Sequence, residues 1–277
     1  WYLWLFTLPV MLDTFYQVSV VGILWNLVAI PLLPVIIASG GLGVVLAGWN
    51  IFLGSLAGSP AYGMLQLYQE IGNISEKLPV GMWTPGQPSK PVIAVYYLVI
   101  SLLVLVEKQL IKREKRWKIR KIFPGMELCS MLLLLLLMAH PWQQREKITF
   151  LDVGQGDASL LQSGGQTLLL DGGSTSQKNV GTYVILPYIK QQGISCLEAV
   201  VLTHTDQDHI NGVTEVLEEG KKGWLTVKNL MYPYWMEGTE QGKQLKKQAE
   251  EAGASCRKIR AGDRLTIGKA EAVVLYP

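Results

Sequence analysis

Val201-Leu202-Thr203-His204-Thr205-Asp206-Gln207-Asp208-His209-Ile210-Asn211-Gly212 decides the reading of this chain. The apolar run from Leu197 to Leu202 has the length and residue types of a buried strand. It gives way at once to two histidines and two aspartates, before a helix-like stretch begins near Ile210. Potential metal ligands therefore stand at the C-terminal end of a strand. Imidazole and carboxylate together suit zinc, manganese or iron(II), and the His-x-Asp-x-Asp-His spacing lets one loop serve two neighbouring ions. A helix N-cap accounts for an aspartate at a helix start, but not for two histidines flanking two aspartates. The stretch reads as the ligand loop of a dinuclear hydrolase.

Outward from this loop, the chain falls into two regimes. Hydrophobic residues make up 49% of the 277 positions, and the mean hydropathy of +0.24 averages an apolar first half with a soluble-looking second half. Two domains are expected, over residues 1–140 and 145–277. A formal net charge of +3 is too small to imply a nucleic-acid partner by itself, because clustering matters more than total charge. Cys129, Cys196 and Cys256 show no close pair and no zinc-finger spacing, which argues against a structural zinc site. Whether Cys196 and Cys256 pair depends on the fold. The chain opens on Trp1 and stops just after the apolar stretch Ala272 to Leu275, so a fragment of a longer protein is expected.

In the apolar half, Trp1 to Leu12 reads as the end of a membrane helix interrupted by Pro9. Tyr16 to Ala38 contains no charged residue and as a helix would extend about 34 Å, enough for a bilayer core of about 30 Å. Asn26, Pro31 and Pro34 lie within this span, where neighbouring helices or a water-filled cavity must satisfy the freed backbone groups. Ser39-Gly40-Gly41-Leu42-Gly43 reads as a tight turn, and Val44 to Leu56 as a second span ending at the Gly58-Ser59-Pro60 breaker. Tyr62 to Leu78 reads as an amphipathic helix, Leu78 to Pro91 as a loop and Val92 to Val106 as another span. Lys108, Lys112, Arg113, Lys115, Arg116, Lys118, Arg120 and Lys121 then form a basic loop, cytoplasmic by the positive-inside rule. Ile122 to Ala139 crosses outward, which makes the second half extracytoplasmic.

The second half opens with three strands, Lys147–Val153, Ala158–Gln162 and Thr167–Leu170, separated by Gly154-Gln155-Gly156 and Ser163-Gly164-Gly165. A helix over Asn179 to Gln192 precedes the motif strand, and a helix over Ile210 to Glu219 follows it. Leu225–Met231 reads as a strand, Thr239–Ala252 as a charged helix, and Arg257–Leu275 as two or three strands. Ligands at strand ends, within mixed β and α structure, fit one half of a layered α/β/β/α sandwich.

His204-x-Asp206-x-Asp208-His209 resembles the His-x-His-x-Asp-His motif of the metallo-β-lactamase superfamily, with Asp206 where the second histidine usually stands. Taken with Phe150-Leu151-Asp152-Val153-Gly154-Gln155-Gly156-Asp157, Leu170-Asp171-Gly172-Gly173 and an apolar half before them, the chain resembles the ComEC-type competence proteins. Asn26-Leu27-Val28-Ala29-Ile30-Pro31 and Leu78-Pro79-Val80-Gly81-Met82-Trp83 resemble pieces of that family's membrane domain. The resemblance implies a polytopic α-helical membrane domain followed by the first half of a metallo-β-lactamase-like αββα sandwich.

It further implies a multi-pass protein of the cell membrane that takes up DNA independently of sequence during natural transformation, alongside other proteins of the competence machinery. The hydrolase domain outside the membrane would be a metal-dependent nuclease. The complete domain would hold two divalent ions, manganese or zinc, with His204 and Asp206 on one and Asp208 and His209 on the other. Asp208 would also orient the attacking water. Asp171 is expected to anchor the ligand loop, and Asp152 and Asp157 to support the ligands from behind. The family's later ligands would fall beyond Pro277, so the fragment by itself is expected to be inactive. Two other readings stand beside this one. One is a transporter whose metallo-β-lactamase-like domain only binds; the other is a membrane-anchored hydrolase of a different phosphoester.

Overall fold

The computed structural model describes residues 2–76, 82–112 and 146–276. They form two compact units, one gathering described residues from 1–18, 84–221 and 225–277, the other those from 19–83 and 222–224. The second unit is built on helices α2 (Val21–Ala47) and α3 (Ile51–Glu76). Two-residue strands β1 (Val18–Ser19) and β2 (Met82–Trp83) precede and follow this pair in sequence.

The hairpin turn differs from its sequence expectation. Helix α2 runs straight through Ser39–Gly43, and α3 runs through Gly58-Ser59-Pro60. The chain reverses instead at Gly48-Trp49-Asn50, where the Asn50 side chain accepts from Phe52 N at 2.8 Å and caps α3. Glycine in a helix interior costs about 1 kcal/mol relative to alanine, which is why the glycine cluster reads as a turn. Here Gly43 lets the two helices meet: a Cβ there would lie 3.0 Å from Cα of Gly58. Leu24–Ala47, with a mean hydropathy of 2.2, is the one stretch among the described residues long and apolar enough to cross a membrane. The expected amphipathic helix from Tyr62 is the C-terminal part of α3.

In the first unit, α1 (Tyr2–Phe15) continues through Pro9, and α4 (Lys90–Lys112) contains the span expected over Val92–Val106 together with Lys108 and Lys112. The rest of the basic cluster, the expected span Ile122–Ala139 and Cys129 lie outside the described residues.

The same unit carries a six-stranded sheet in the order β10-β9-β7-β5-β4-β3. Strands β3 (Lys147–Phe150), β4 (Ser159–Ser163) and β5 (Gln166–Leu170) form the expected antiparallel meander. Strands β5, β7 (Ala199–Val201), β9 (Asn229–Pro233) and β10 (Ser255–Ile259) run parallel. Leu169, Val200 and Leu230 are in register and fully buried on one face, while Leu168, Ala199 and Val201 are buried toward the other with Ile259 and Ile267. Burial on both faces is what parallel strands require, and it explains their unbroken apolar runs. The run read as a single strand from Leu197 to Leu202 is divided into β6 (Cys196–Leu197) and β7; β6 pairs with β8 (Thr226–Val227) in a separate two-stranded ribbon. A π-helical turn at Gly181–Ile185 leads into α5 (Leu186–Gln191). Helix α6 spans Gln207–Lys221, starting earlier than Ile210, and α7 spans Glu240–Glu251 behind a Thr239 N-cap. Strands β11 (Arg264–Ile267) and β12 (Ala270–Val273) pair as a hairpin.

Candidate metal centre

Because β5 and β7 are parallel neighbours, their C-terminal ends reach the same sheet edge, one delivering Asp171 and the other the His204 loop. The Asp171 backbone donates to Val201 O at 2.9 Å. Its carboxylate is almost wholly buried and is used on both oxygens. Oδ1 accepts from Thr203 N at 2.8 Å; Oδ2 accepts from Thr203 Oγ1 at 2.7 Å and lies 3.0 Å from Nδ1 of His209. A carboxylate in its ionised form accepts only, so the His209 proton sits on Nδ1 and its Nε2 is left with a free lone pair. The same logic passes through Thr203. Its hydroxyl proton goes to Asp171, so its oxygen accepts from His204 Nδ1 at 2.8 Å, and His204 also presents Nε2. One buried carboxylate thus sets the tautomer of both imidazoles.

The resulting geometry brings ligand atoms of His204, Asp208 and His209 within 4.8 Å of one another. The two rings have centroids 3.6 Å apart. Asp157 approaches from the loop after β3, with Oδ2 3.6 Å from His209 Nε2, closer than the 3.9 Å of Asp208 Oδ2. Asp206 is largely exposed; its carboxylate lies 3.6 Å from Nε2 of His204, and its carbonyl accepts from His209 N at 3.0 Å. Asp152 lies exposed after β3. Two imidazole nitrogens with convergent carboxylates match the donor preferences of a divalent zinc, manganese or iron ion, so the residues fit a metal.

Three chain segments converge so closely that two positions admit only glycine. A Cβ on Gly173 would lie 2.4 Å from Asp208 C, and one on Gly156 would lie 2.3 Å from Gly173 O. Asp157 N donates to Asp208 O at 3.1 Å, Gly173 N to Asp157 O at 3.0 Å, and Gly172 N to His209 O at 2.8 Å. Early onset of α6 places Asp208 and His209 in its first turn, where the helix dipole favours a carboxylate.

Residues that sequence reading passes over hold this junction. Thr203 relays Asp171 to His204, while Asn211 clamps Ser174 by donating to its carbonyl at 2.6 Å and accepting from its N–H at 3.0 Å. A polar residue at a strand end and a Ser after two glycines were the available signals. Beside the junction lies an open polar cleft of about 410 Å³ whose lining includes Ser174, Lys178, Gln207 and Asn211. Cys196 and Cys256 are both free thiols, each pushed up in pKa by burial, and neither belongs to the ligand group.

Residues 151–272 match the model of the metallo-beta-lactamase superfamily. Residues 1–110 match the model of the Competence protein family. The two matches lie one after the other along the chain, and curated relatives match over most of its length. It is 26% identical over 98% of its length to ComE operon protein 3 of Bacillus subtilis, and 29% identical over 77% to Recombination protein 2 of Haemophilus influenzae. These matches take in 35% and 29% of the two relatives, so the chain spans about a third of the length of the curated proteins it matches. Among solved structures, it resembles the metallo-beta-lactamase fold protein YhfI from Bacillus subtilis at 20% identity and a TM-score of 0.31. That match covers 44% of this chain and 50% of the other. A diphosphatase of the PhnP family matches at 15% identity and a TM-score of 0.29, over 43% of this chain and 42% of the other.

Proposed function

We propose that the protein takes part in DNA uptake during natural transformation, with residues 1–140 as a multi-pass membrane domain and 145–277 as a metal-dependent phosphodiesterase domain outside the membrane. The observation that carries the hydrolase reading is the Asp171 hub, which engages Nδ1 of His209 directly and Nδ1 of His204 through Thr203, within a cluster that holds ligand atoms of both histidines and Asp208 together. A metal bound there, zinc or manganese, would supply Lewis acidity and lower the pKa of water for attack on a phosphodiester. His204, Asp208 and His209 would hold the ion, and Asp157 stands near enough to join them. Asp206, exposed beside His204, is available to a second ion. Asp171 holds the imidazole protons away from the metal side, and Thr203 extends that control to His204.

The placement outside the membrane has its own support. Gln87, just before α4, donates its backbone N–H to Gln191 O at 2.8 Å and accepts from the Gln191 side chain at 2.8 Å. Its amide also donates to Asp13 of α1, which pairs with Lys90. The hydrolase domain is thereby fastened to the N-terminal end of α4, whereas Lys108 and Lys112 lie at its other end, about 30 Å away along a helix of this length. With the basic end in the cytoplasm, the fastened end faces outward.

The test is metal-dependent cleavage of DNA by the purified full-length protein, extended past Pro277, beside its Asp208→Ala and His209→Ala variants. Cleavage lost in both variants supports the reading. A folded, metal-loaded protein that cleaves no DNA would leave a domain that binds without hydrolysing, or one that acts on another phosphoester.

A further inference from the structure

The parallel strands bring more than the metal ligands to their common edge. Val201 pairs with Met231, Leu202 N continues the ladder to Met231 O at 2.8 Å, and Pro233 pairs with Ile259. Tyr234 and Arg260 directly follow the ends of β9 and β10, and the metal loop follows the end of the neighbouring β7. Neighbouring strands lie about 4.8 Å apart, so the β9 and β10 ends are one and two strand spacings from the β7 end. Ligands of open α/β sheets bind at such carboxyl ends.

Tyr234 and Trp235 are held there with part of each ring open to solvent. They begin a short 3-10 turn, Tyr234–Gly238, that is anchored by buried Met236 and capped where Thr239 Oγ1 donates to Met236 O at 2.8 Å. Tyr234 is nevertheless 56% exposed and Trp235 39%. The Arg260 guanidinium lies 5.8 Å from the Tyr234 ring centroid, a cation poised over one aromatic face. Glu237, the acid of the same turn, is neutralised by Lys258 at 2.6 Å and by Lys246 at 3.5 Å. Exposed rings with a cation whose guanidinium makes no ion pair among the described residues, beside a centre suited to phosphoesters, match the chemistry of unpaired bases and their phosphates.

We infer that Tyr234, Trp235 and Arg260 form a stacking platform that holds single-stranded nucleic acid beside the metal ligands. This rests on the phosphodiesterase reading for its orientation, and it adds a substrate preference: unpaired over duplex DNA.

The experiment measures anisotropy of fluorescein-labelled oligo(dT) and of a blunt duplex with the detergent-solubilised protein in EDTA, where no cleavage intervenes. Tyr234→Ala/Trp235→Ala should weaken oligo(dT) binding at least tenfold, the scale of losing stacked bases. Tyr234→Phe, which keeps the ring, should stay within about twofold, and duplex binding should change by less than about twofold in every variant. Unchanged oligo(dT) affinity in the double variant overturns the platform, as does an equal loss for the duplex. Overturning it equally would be a loss of binding to phosphatidylglycerol vesicles with oligo(dT) binding intact, the mark of a membrane-interface anchor. Cleavage with added manganese is scored separately. Metal-dependent cleavage together with unchanged oligo(dT) affinity sinks the platform alone, whereas absent cleavage with the tenfold loss sinks the phosphodiesterase reading alone.

Discussion

The helical hairpin and the metal domain invert each other's solvent logic. In α2 and α3, large apolar side chains point outward, Leu27, Val44 and Phe52 each being more than 70% exposed, and only 6% of the most apolar window is buried. In the metal domain, Leu160, Leu169 and Val200 are wholly buried, and polar groups are drawn inside with them: Asp171, Ser174 and His209. A hydrocarbon solvent tolerates the first pattern and water the second. Glycine marks the same divide. In the hairpin it permits two helices to approach; in the metal domain it permits three loops to converge on the ligands.

The largest effects should come from the Asp171 hub. Asp171→Ala leaves Thr203 N–H, Thr203 Oγ1 and His209 Nδ1 without their acceptor. The expected cost is about 3 kcal/mol in stability, with metal affinity falling about 10–100-fold; calorimetric melts and metal titration read the two losses. A variant that binds metal as tightly as the parent would show that the tautomers are set in some other way. Gly173→Ala should cost about 3 kcal/mol, since its Cβ would meet backbone at 2.4 Å. By contrast Gly63→Ala, with nothing within 4 Å of its Cβ, should leave the hairpin equal or more stable by up to about 1 kcal/mol. Denaturant unfolding of the two variants sharpens the comparison, and similar costs at both positions would break it. Gly43→Val, which forces a branched side chain against Gly58, should loosen the hairpin and speed proteolysis near Gly48–Asn50.

The smallest expected effect is electrostatic. The hydrogen bond from Lys258, with Lys246 beside it, holds the Glu237 carboxyl below its ordinary value of 4.5. A depressed carboxyl stabilises the fold above its unfolded pKa, and that contribution is lost as pH falls through the lower folded pKa. Melting temperatures of the parent and Glu237→Gln should therefore differ slightly at neutral pH and converge in acid. A gap that widens on acidification would contradict the assignment.

Much of the metal domain was legible because its signals are local. The meander between glycine turns, the Thr239 cap and the ligand loop at a strand end each follow from neighbouring residue types. What stayed hidden depends on distant partners. Thr203 looks like any β-branched strand residue until Asp171, thirty-two positions earlier, comes within hydrogen-bonding reach. Asp157, expected to support the ligands, comes to 3.6 Å from His209, a distance set by the sheet and not by local sequence. The early start of α6 brings Asp208 and His209 into one group with His204, while Asp206 approaches His204 from its exposed side at 3.6 Å. The hairpin turn was misplaced for the opposite reason. Glycine and proline are strong local punctuation in water, but a helix packed closely against another absorbs them, and the Asn50 cap was the better signal.

The most direct measurement is manganese and zinc binding, by titration on the purified full-length protein, compared across the parent, His209→Ala and Asp206→Ala, with DNA cleavage read in the same samples. The account predicts that His209→Ala abolishes high-affinity binding of the first ion and all cleavage, while Asp206→Ala keeps that first ion. Tight binding that survives His209→Ala, or is lost with Asp206→Ala alone, would contradict a centre built on His204, Asp208 and His209.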